Sequence, residues 1–257
     1  MKWVSLVFVT VSFLVGLGAC LPVATPLPPL PTDTPLPSTS TPTPTIVWFP
    51  PTATFTPFPT VVMTPTVDVL PQVGEILFSD DFSDPNGWTL GKSPAGTVAL
   101  GKSELTLAIS QPGGYLYSLR RKTDLRDFYV EITASPSLCR GGDEYGLLLR
   151  ISEALEFYRF SLTCDGQVRL DKYFNDRASS PHPLSMSGSV PPGAPSTSRI
   201  AVAVIGKEMN FFVNGDFQFS VSDPSLTNGA LGVFARSNGD TVVTVNFSAL
   251  EVRQAGR

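Results

Sequence analysis

The distribution of proline divides the chain into a part that cannot build a core and a part that can. Residues 21–72 hold 15 of the 25 prolines, contain no glycine and carry only Asp33 and Asp68 as charges. Proline lacks a backbone hydrogen-bond donor and fixes φ, so helices and central strands cannot run through such a segment. The pattern predicts an extended, polyproline-like stalk, which would reach at most on the order of 150 Å for about 50 residues.

The N-terminus predicts export. An apolar run over residues 3–17 follows Lys2 and is shorter than the roughly 20 residues that span a bilayer as a helix. It ends in Leu17-Gly18-Ala19-Cys20, which resembles the lipobox of bacterial lipoproteins. The resemblance implies a signal peptide over residues 1–19, a lipidated Cys20, and a domain held outside the cytoplasm at the bacterial cell surface by this membrane anchor. The alternatives are an ordinary signal peptide cut near Ala19 and a short uncleaved membrane anchor.

The cysteines predict one disulfide. Lipidation of Cys20 leaves Cys139 and Cys164 as a single even pair in an exported domain. An oxidising compartment allows the pair to close, and a loop of about 25 residues would contribute roughly 3 kcal/mol in the chain-entropy model. The sequence has no CxxC motif and no Cys/His cluster, so no zinc site is expected.

The composition changes after residue 74, which places the stalk and the lipidated cysteine in residues 20–74 and the folded domain in residues 75–257. The folded part has 17 basic and 20 acidic residues, a net charge of about −3. Nucleic acid is not an expected partner, because phosphate binding needs a concentrated positive surface. The length is sufficient for one β-sandwich core, and no stretch of useful length has helical periodicity.

Alternation and turn residues predict strands over residues 200–205, 209–213, 217–221 and 242–247. A three-residue loop at Asn214-Gly215-Asp216 would set Val213 opposite Phe217 and Phe211 opposite Phe219, which keeps the apolar side chains on one face. The pattern therefore favours this loop over a two-residue one.

A second hairpin predicts a polar face. A three-residue loop at residues 165–167 sets Leu162 opposite Leu170 and Cys164 opposite Val168, with Tyr158 and Phe160 also on the core face. The other face then carries donors beside an aromatic ring, a mixture suited to sugar hydroxyls and C–H faces. The alternative is an ordinary solvated face. The expected ligand-binding residues are Arg159, Arg169, Asp171 and Tyr173, with Arg159 opposite Tyr173, and Arg150 from a preceding strand over residues 145–151.

Other polar groups give weaker signals. Asp80, Asp81 and Asp84 suit a structural Ca²⁺ site, although the same run is ordinary turn chemistry; no other cofactor is expected.

Trp88 is expected to pack in the core. Residues 175–198 predict a long irregular connection, either a flexible rim or a disordered insertion, and contain His182 with no nucleophile nearby in sequence. No catalytic residue is assigned, since the acidic residues Asp143, Glu144, Glu153 and Glu156 are expected to be solvated at turns.

Landmarks spread over nearly the whole folded part resemble concanavalin-like jelly-roll domains, including those related to laminin G and to the 3-keto-disaccharide hydrolase type. The resemblance implies an all-β, two-sheet antiparallel jelly-roll sandwich with the concave sheet as the usual ligand face. It favours a non-catalytic module that binds a glycan or another extracellular ligand; the alternatives are a sugar-processing hydrolase and an adhesion ectodomain with a protein partner. The landmarks are Phe78-Ser79-Asp80-Asp81-Phe82, Gly87-Trp88, Tyr145-Gly146-Leu147, Phe157-Tyr158-Arg159-Phe160, Phe212-Val213-Asn214-Gly215 and Gly232-Val233-Phe234-Ala235.

Overall fold

The computed structural model describes residues 72–153 and 155–256, so the predictions for the signal peptide, for Cys20 and for the stalk up to residue 71 lie outside the described residues. The described chain is all-β and forms two antiparallel sheets, which confirms the predicted jelly-roll sandwich. Within these residues, no helix is long and apolar enough to cross a membrane.

The larger sheet has nine strands and the smaller sheet has six. The larger sheet contains β1 (Gln72–Asp80), β2 (Gly91–Ser93), β3 (Gly96–Leu100), β4 (Leu105–Ile109), β6 (Phe128–Leu138), β11 (Ser198–Ile205), β12 (Glu208–Val213), β13 (Asp216–Ser222) and β15 (Val243–Gly256). The smaller sheet contains β5 (Tyr115–Leu119), β7 (Gly141–Ile151), β8 (Phe157–Cys164), β9 (Gln167–Phe174), β10 (Arg177–Met186) and β14 (Ala230–Arg236).

The order of the strands in each sheet shows which strands are neighbours. The larger sheet runs β13-β12-β11-β6-β15-β4-β3-β2, with β1 also paired to β15, and the smaller sheet runs β10-β9-β8-β7-β14-β5. Strand β1 begins at Gln72, three residues before the predicted start of the folded domain. Alternate residues of both sheets fill one shared core, where the Phe160 ring centroid lies 4.8 Å from that of Phe211 and 5.8 Å from that of Phe219.

The β12–β13 hairpin reaches the predicted core register by a different route. Val213 pairs with Asp216, so the loop has two residues and the predicted three-residue loop is wrong. Asn214 and Gly215 have φ of 55° and 89°, the positive values that a type I′ turn requires. A bulge at Gln218 then restores Phe211 opposite Phe219, as the apolar alternation predicted, but the predicted pairing of Val213 with Phe217 is wrong, because Phe217 lies opposite Phe212 and is exposed.

The β8–β9 hairpin is shifted by two residues from the predicted register. Leu162 pairs with Val168, and Arg159 pairs with Asp171 instead of with Tyr173. A shift of two residues leaves every side chain on its predicted face, because side chains alternate with period two. The predicted division into core and outer residues therefore holds, while the predicted Arg159–Tyr173 pair is wrong.

The disulfide between Cys139 and Cys164 is confirmed. It joins the residue after β6 to the last residue of β8, with 5.9 Å between the two Cα atoms. This separation lies within the usual range for disulfides. The bond therefore links the two sheets at one end of the sandwich.

The predicted irregular connection over residues 175–198 is wrong in its first half, which forms the edge strand β10. Pro181 and Pro183 fit this position because an edge strand does not need every N–H for pairing, and they discourage further strand addition. His182 lies between them, and its ring stacks on Phe219 with centroids 3.7 Å apart. This contact ties β10 to the larger sheet. Partial burial lowers the pKa of His182.

Asp223, just after β13, anchors a polar cluster at the edge of the core. Its carboxylate accepts hydrogen bonds from Tyr158 Oη at 2.9 Å, Lys172 Nζ at 2.6 Å and the Ser225 amide at 2.8 Å. Burial alone would raise the pKa of Asp223, but hydrogen bonds from Lys172, Ser225 and Tyr158 outweigh it and lower the pKa to about 2. Because this value lies below that of an unfolded aspartate, the charged group stabilises the fold above about pH 4.

We expect Asp223→Asn to lower the free energy of unfolding by about 1 to 2 kcal/mol near neutral pH, through weakened hydrogen bonds to the carboxylate. The difference from the parent protein should shrink as the pH falls from about 4 to 2, where the parent carboxylate becomes protonated. Urea denaturation over this pH series measures the effect, with the exposed Asp240→Asn as the control. A difference that stays constant down to pH 2 would contradict the assignment.

Candidate functional site

The predicted polar residues of β8 and β9 lie together on the outer face of the six-stranded sheet. Arg159 and Asp171 are opposite each other, and Arg159 Nη2 lies 2.6 Å from Asp171 Oδ2. Arg169 Nε lies 3.0 Å from the same oxygen, and Ser180 Oγ of β10 donates to Asp171 Oδ1 at 2.6 Å. Arg159 and Asp171 are buried. The predicted cluster is therefore an ordered ion-pair network.

Glu144 of β7 completes this network and was not predicted. Its Oε1 lies 2.7 Å from Arg169 Nη2 and 3.7 Å from Arg236 Nη1 of β14, and its Oε2 lies 3.9 Å from Arg159 Nη2. The expectation that Asp143 and Glu144 are solvated at a turn is wrong, because β7 already begins at Gly141 and both side chains are buried. Asp143 instead accepts hydrogen bonds from the Asn238 amide and Thr241 Oγ1.

Aromatic rings hold the central arginine in place. Arg159 Cζ lies 5.4 Å from the ring centroid of Tyr173 and 5.4 Å from that of Phe234. Both distances lie within the range of cation–π attraction. Tyr173 also stacks on Phe157, with centroids 4.7 Å apart, so it is part of the packed face and is only partly exposed. We therefore expect its removal to cost stability as well as ligand contacts.

A tyrosine pair on β5 extends the face beyond the predicted residues. Tyr115 stacks on Phe234 with centroids 5.8 Å apart, and its ring centroid lies 6.0 Å from that of Tyr117. Burial raises the pKa of Tyr115 to about 12, so its phenol stays neutral and can donate a hydrogen bond. Tyr117 is 43% exposed, which makes it the most accessible ring of this group.

Beside the tyrosine pair lies a small apolar notch of about 80 Å³. Its lining consists of leucine, isoleucine and aromatic side chains, so it can take a methyl group or a C–H face but not a charged group. The outer face of the sheet is therefore apolar near β5 and ionic near β9. The notch is lined by Tyr115, Tyr117, Leu119, Leu148, Ile151, Leu155 and Phe157.

Arg150 does not join this face, and its predicted placement there is wrong. A bulge in β7 and a φ of 49° at Arg150 turn its side chain away, and it is 1% exposed. Its guanidinium donates to the carbonyl oxygens of Leu226 at 2.8 Å, Arg126 at 2.7 Å and Gly206 at 2.8 Å. Arg150 therefore ties β7 to the connections between β5 and β6, between β11 and β12 and between β13 and β14.

The three aspartates of the predicted Ca²⁺ site do not form a shared site. Asp80 accepts hydrogen bonds from the Phe82 amide and Trp88 Nε1 and pairs with Arg120 at 2.7 Å. Asp81 accepts from Ser83, and Asp84 accepts from the Asn86 amide at 2.8 Å. Within residues 72–153 and 155–256, no group of three or more His, Cys, Asp or Glu side chains is placed to hold a metal ion. The run thus serves turn formation, and Trp88 is buried, as predicted for a packing residue.

Comparisons with known proteins identify the fold of this chain but no family. No protein-family model and no curated protein matches the chain. The chain is similar to a Bacillus licheniformis β-glucanase, with 14% identity and a TM-score of 0.54 over 72% of this chain and 100% of that chain. It is also similar to a Bacillus subtilis protein of unknown function with a galectin-like fold, with 14% identity and a TM-score of 0.56 over 73% and 100%.

A third similar structure is a Bacteroides ovatus mixed-linkage glucan GH16 protein in complex with a G4G4G3G product, with 10% identity and a TM-score of 0.54 over 69% of this chain and 100% of that chain. At such identities, these likenesses show a shared sandwich fold. The predicted resemblance to concanavalin-like jelly-roll domains is therefore confirmed for the fold.

Proposed function

We propose that this chain is a bacterial surface lipoprotein whose jelly-roll domain binds a glycan without catalysing a reaction on it. The observation that carries the proposal is the outer face of the six-stranded sheet, where the accessible ring of Tyr117 lies near an ordered network of arginines and carboxylates. Aromatic rings suit the C–H faces of sugars, and guanidinium and carboxylate groups suit their hydroxyls. Glycan-related names among the similar folds agree with this proposal.

The rigidity of the face supports recognition. Arg159 is held by a close ion pair with Asp171 and by two rings, so its side chain is already ordered before a ligand arrives. A preorganised site loses less conformational entropy on binding than a mobile one. The network therefore positions the neighbouring Arg169, which is more exposed and lies 3.0 Å from Asp171, for contact with a ligand.

The same network favours binding over sugar hydrolysis. Glycoside hydrolysis by two carboxyl groups requires one of them to deliver a proton to the leaving oxygen. Glu144 and Asp171 are the two carboxylates of the network, and each forms ion pairs with Arg159 and Arg169. Asp171 contacts both arginines within 3.0 Å, and Glu144 contacts Arg169 through Oε1 at 2.7 Å, so each carboxylate is engaged as a partner of arginine. A soluble glycan that is cleaved by the purified chain would reverse this preference.

Replacing the exposed ring tests the binding face. We expect Tyr117→Ala to weaken glycan binding by roughly 1 to 3 kcal/mol through lost contact area while changing the free energy of unfolding little. Phe217→Ala is the matched control, because Phe217 is 42% exposed and lies on β13 of the other sheet. A glycan array identifies the ligand and calorimetry measures both variants against it. Equal affinities for Tyr117→Ala and the parent protein would remove this face from the proposal.

Display at the cell surface has its own test. The proposal rests on the lipobox-like Leu17-Gly18-Ala19-Cys20 and on the pairing of the other two cysteines in the disulfide. We expect the mature chain to partition with membranes and to carry a lipid on Cys20, whereas Cys20→Ala should be released or remain unprocessed. Intact-mass analysis and membrane fractionation measure this. A mature chain that begins elsewhere without a lipid would overturn the anchor and leave the glycan proposal untouched.

A further inference from the structure

We propose that the glycan bound by this face is acidic and that Arg236 and Lys92 take up its carboxylates on either side of the Tyr115–Tyr117 pair. This inference rests on the proposed function and names the class of sugar. It starts from the charges of the outer face. Among the described residues, the ion pairs of this face join Arg159, Arg169 and Arg236 to Glu144 and Asp171. Three guanidinium groups therefore share two carboxylates, which leaves one positive charge in surplus.

The surplus charge lies on Arg236. The side chains of Arg159 and Arg169 are 7% and 21% exposed and have close ion pairs at 2.6 and 2.7 Å. The Arg236 side chain is 38% exposed, and its nearest carboxylate oxygen in the described chain is that of Glu144 at 3.7 Å. That distance is too long for a hydrogen bond. The planar donors of Arg236 are thus available to solvent and fit the two oxygens of a carboxylate.

The sugar ring has a place beside this charge. Arg236 is the cross-strand partner of Tyr115, and Tyr117 is two residues further along β5. Directly opposed side chains on neighbouring strands lie within contact distance of each other. A uronic acid presents a carboxylate on the edge of a pyranose ring, so the ring can lie against the tyrosines while its carboxylate meets Arg236.

Strand β5 is the edge strand of the smaller sheet, so β14 with Arg236 lies along one side of the tyrosine pair and the other side is open. Lys92 of β2 lines an open groove of about 240 Å³ together with Tyr115 and Tyr117. No Asp or Glu side chain of the described chain lines this groove. The domain as a whole is slightly acidic, so this positive rim is a local feature and does not reflect bulk charge. One cation on each side of the two tyrosine rings suits a polymer in which every sugar carries a carboxylate, because successive carboxylates can each meet a cation.

The experiment compares one polymer with and without its charge. Calorimetry would use the full-length chain in detergent with oligomers of polygalacturonate, polymannuronate or hyaluronate, and with the same oligomers after reduction of their carboxylates to alcohols. We expect at least one acidic oligomer to bind ten-fold or more tightly than its reduced form, and higher salt to weaken this binding. Equal affinity for the acidic and the reduced forms would overturn the inference.

Variants assign the effect to the two cations. We expect Arg236→Gln and Lys92→Gln each to weaken binding of the acidic oligomer several-fold and to leave the reduced form unaffected. Arg199→Gln is the matched control, because Arg199 Nε also lies 3.7 Å from a single carboxylate oxygen, that of Glu131, on the other sheet. Thermal melts confirm that each variant is folded, and an effect equal to that of Arg199→Gln would overturn the assignment.

The outcomes separate the two proposals. Binding to neutral glycans on the array, with none of the three acidic polymers preferred, overturns the acidic ligand and keeps glycan binding. Dextran sulfate is added to the series as a sulfated polymer without carboxylates, and its binding in the absence of binding by the three acidic polymers overturns recognition of a carboxylate. If no glycan of either kind binds, the proposed function itself is wrong.

Discussion

Arg150→Met should lower the free energy of unfolding by about 3 to 5 kcal/mol. The loss is expected even though methionine is of similar size and removes the cost of burying a charge. The parent guanidinium serves the carbonyl oxygens of Leu226, Arg126 and Gly206 within 2.8 Å. Methionine would leave these acceptors without their donor, which is 1% exposed; Leu226 is buried, whereas Arg126 and Gly206 are exposed residues whose carbonyl oxygens water can reach in part. Each buried acceptor left without a partner costs on the order of 1 to 3 kcal/mol, and water can serve part of the set.

Two further variants isolate the cause. Arg150→Lys keeps the charge but has a compact ammonium in place of the planar fork, so it cannot reach all three carbonyls, and we expect an intermediate loss. Arg126→Met is the control, because this exposed side chain belongs to a residue whose carbonyl oxygen is one of the three acceptors. Its effect on the free energy of unfolding should stay within about 0.5 kcal/mol. Denaturant unfolding measures all three. A loss below about 1 kcal/mol for Arg150→Met would show that the three carbonyls find other donors.

The sequence predicts the layers of this fold better than it predicts the register of neighbouring strands. Alternation places Leu162 and Phe160 in the core and Arg159 on the outer face, and this holds even though the β8–β9 register is shifted by two residues. In the β12–β13 hairpin, a two-residue loop and a bulge give one of the two core pairs that the longer loop predicted. Alternation determines the face of each side chain, whereas a turn and a bulge can compensate each other.

The candidate site was only partly predictable, for a related reason. Arg159, Arg169 and Asp171 lie on one hairpin, so local pairing brings them together. Glu144 and Arg236 reach them only because β7 lies beside β8 and β14 lies beside β7 in the sheet, across long sequence separations.

Arg150 shows the limit of alternation in a single strand. It stands in the apolar run Leu147-Leu148-Leu149-Arg150-Ile151, where period two places it on the same face as Leu148. The bulge breaks the period at this position and directs the side chain to the connections. A lone arginine in an apolar run is a sign of a buried donor, since a charge without partners would be costly there. The acceptors themselves come from distant segments and cannot be read from the strand.

Gly146→Ala should be the other severe substitution, with a loss of about 3 to 5 kcal/mol and of ligand binding. A Cβ at this position would lie 2.0 Å from the carbonyl oxygen of Phe160, and the φ of +156° is one that residues with a side chain rarely adopt. The obstacle is backbone of the adjacent strand, so no side-chain rotation can relieve it. Relief requires β7 and β8 to separate, and these strands carry Glu144 and Arg159 of the candidate site.

Gly142→Ala provides the matched control within the same strand. Its added Cβ would meet Asn238 Nδ2 at 2.8 Å, which is the end of an exposed side chain that can move aside. We expect a cost below about 1 kcal/mol and unchanged binding for this variant. Denaturant unfolding and calorimetry with the ligand from the glycan array measure both glycine variants. If Gly146→Ala were as stable as Gly142→Ala, the close approach of β7 to Phe160 would be wrong, and with it the pairing that brings Glu144 to the arginine network.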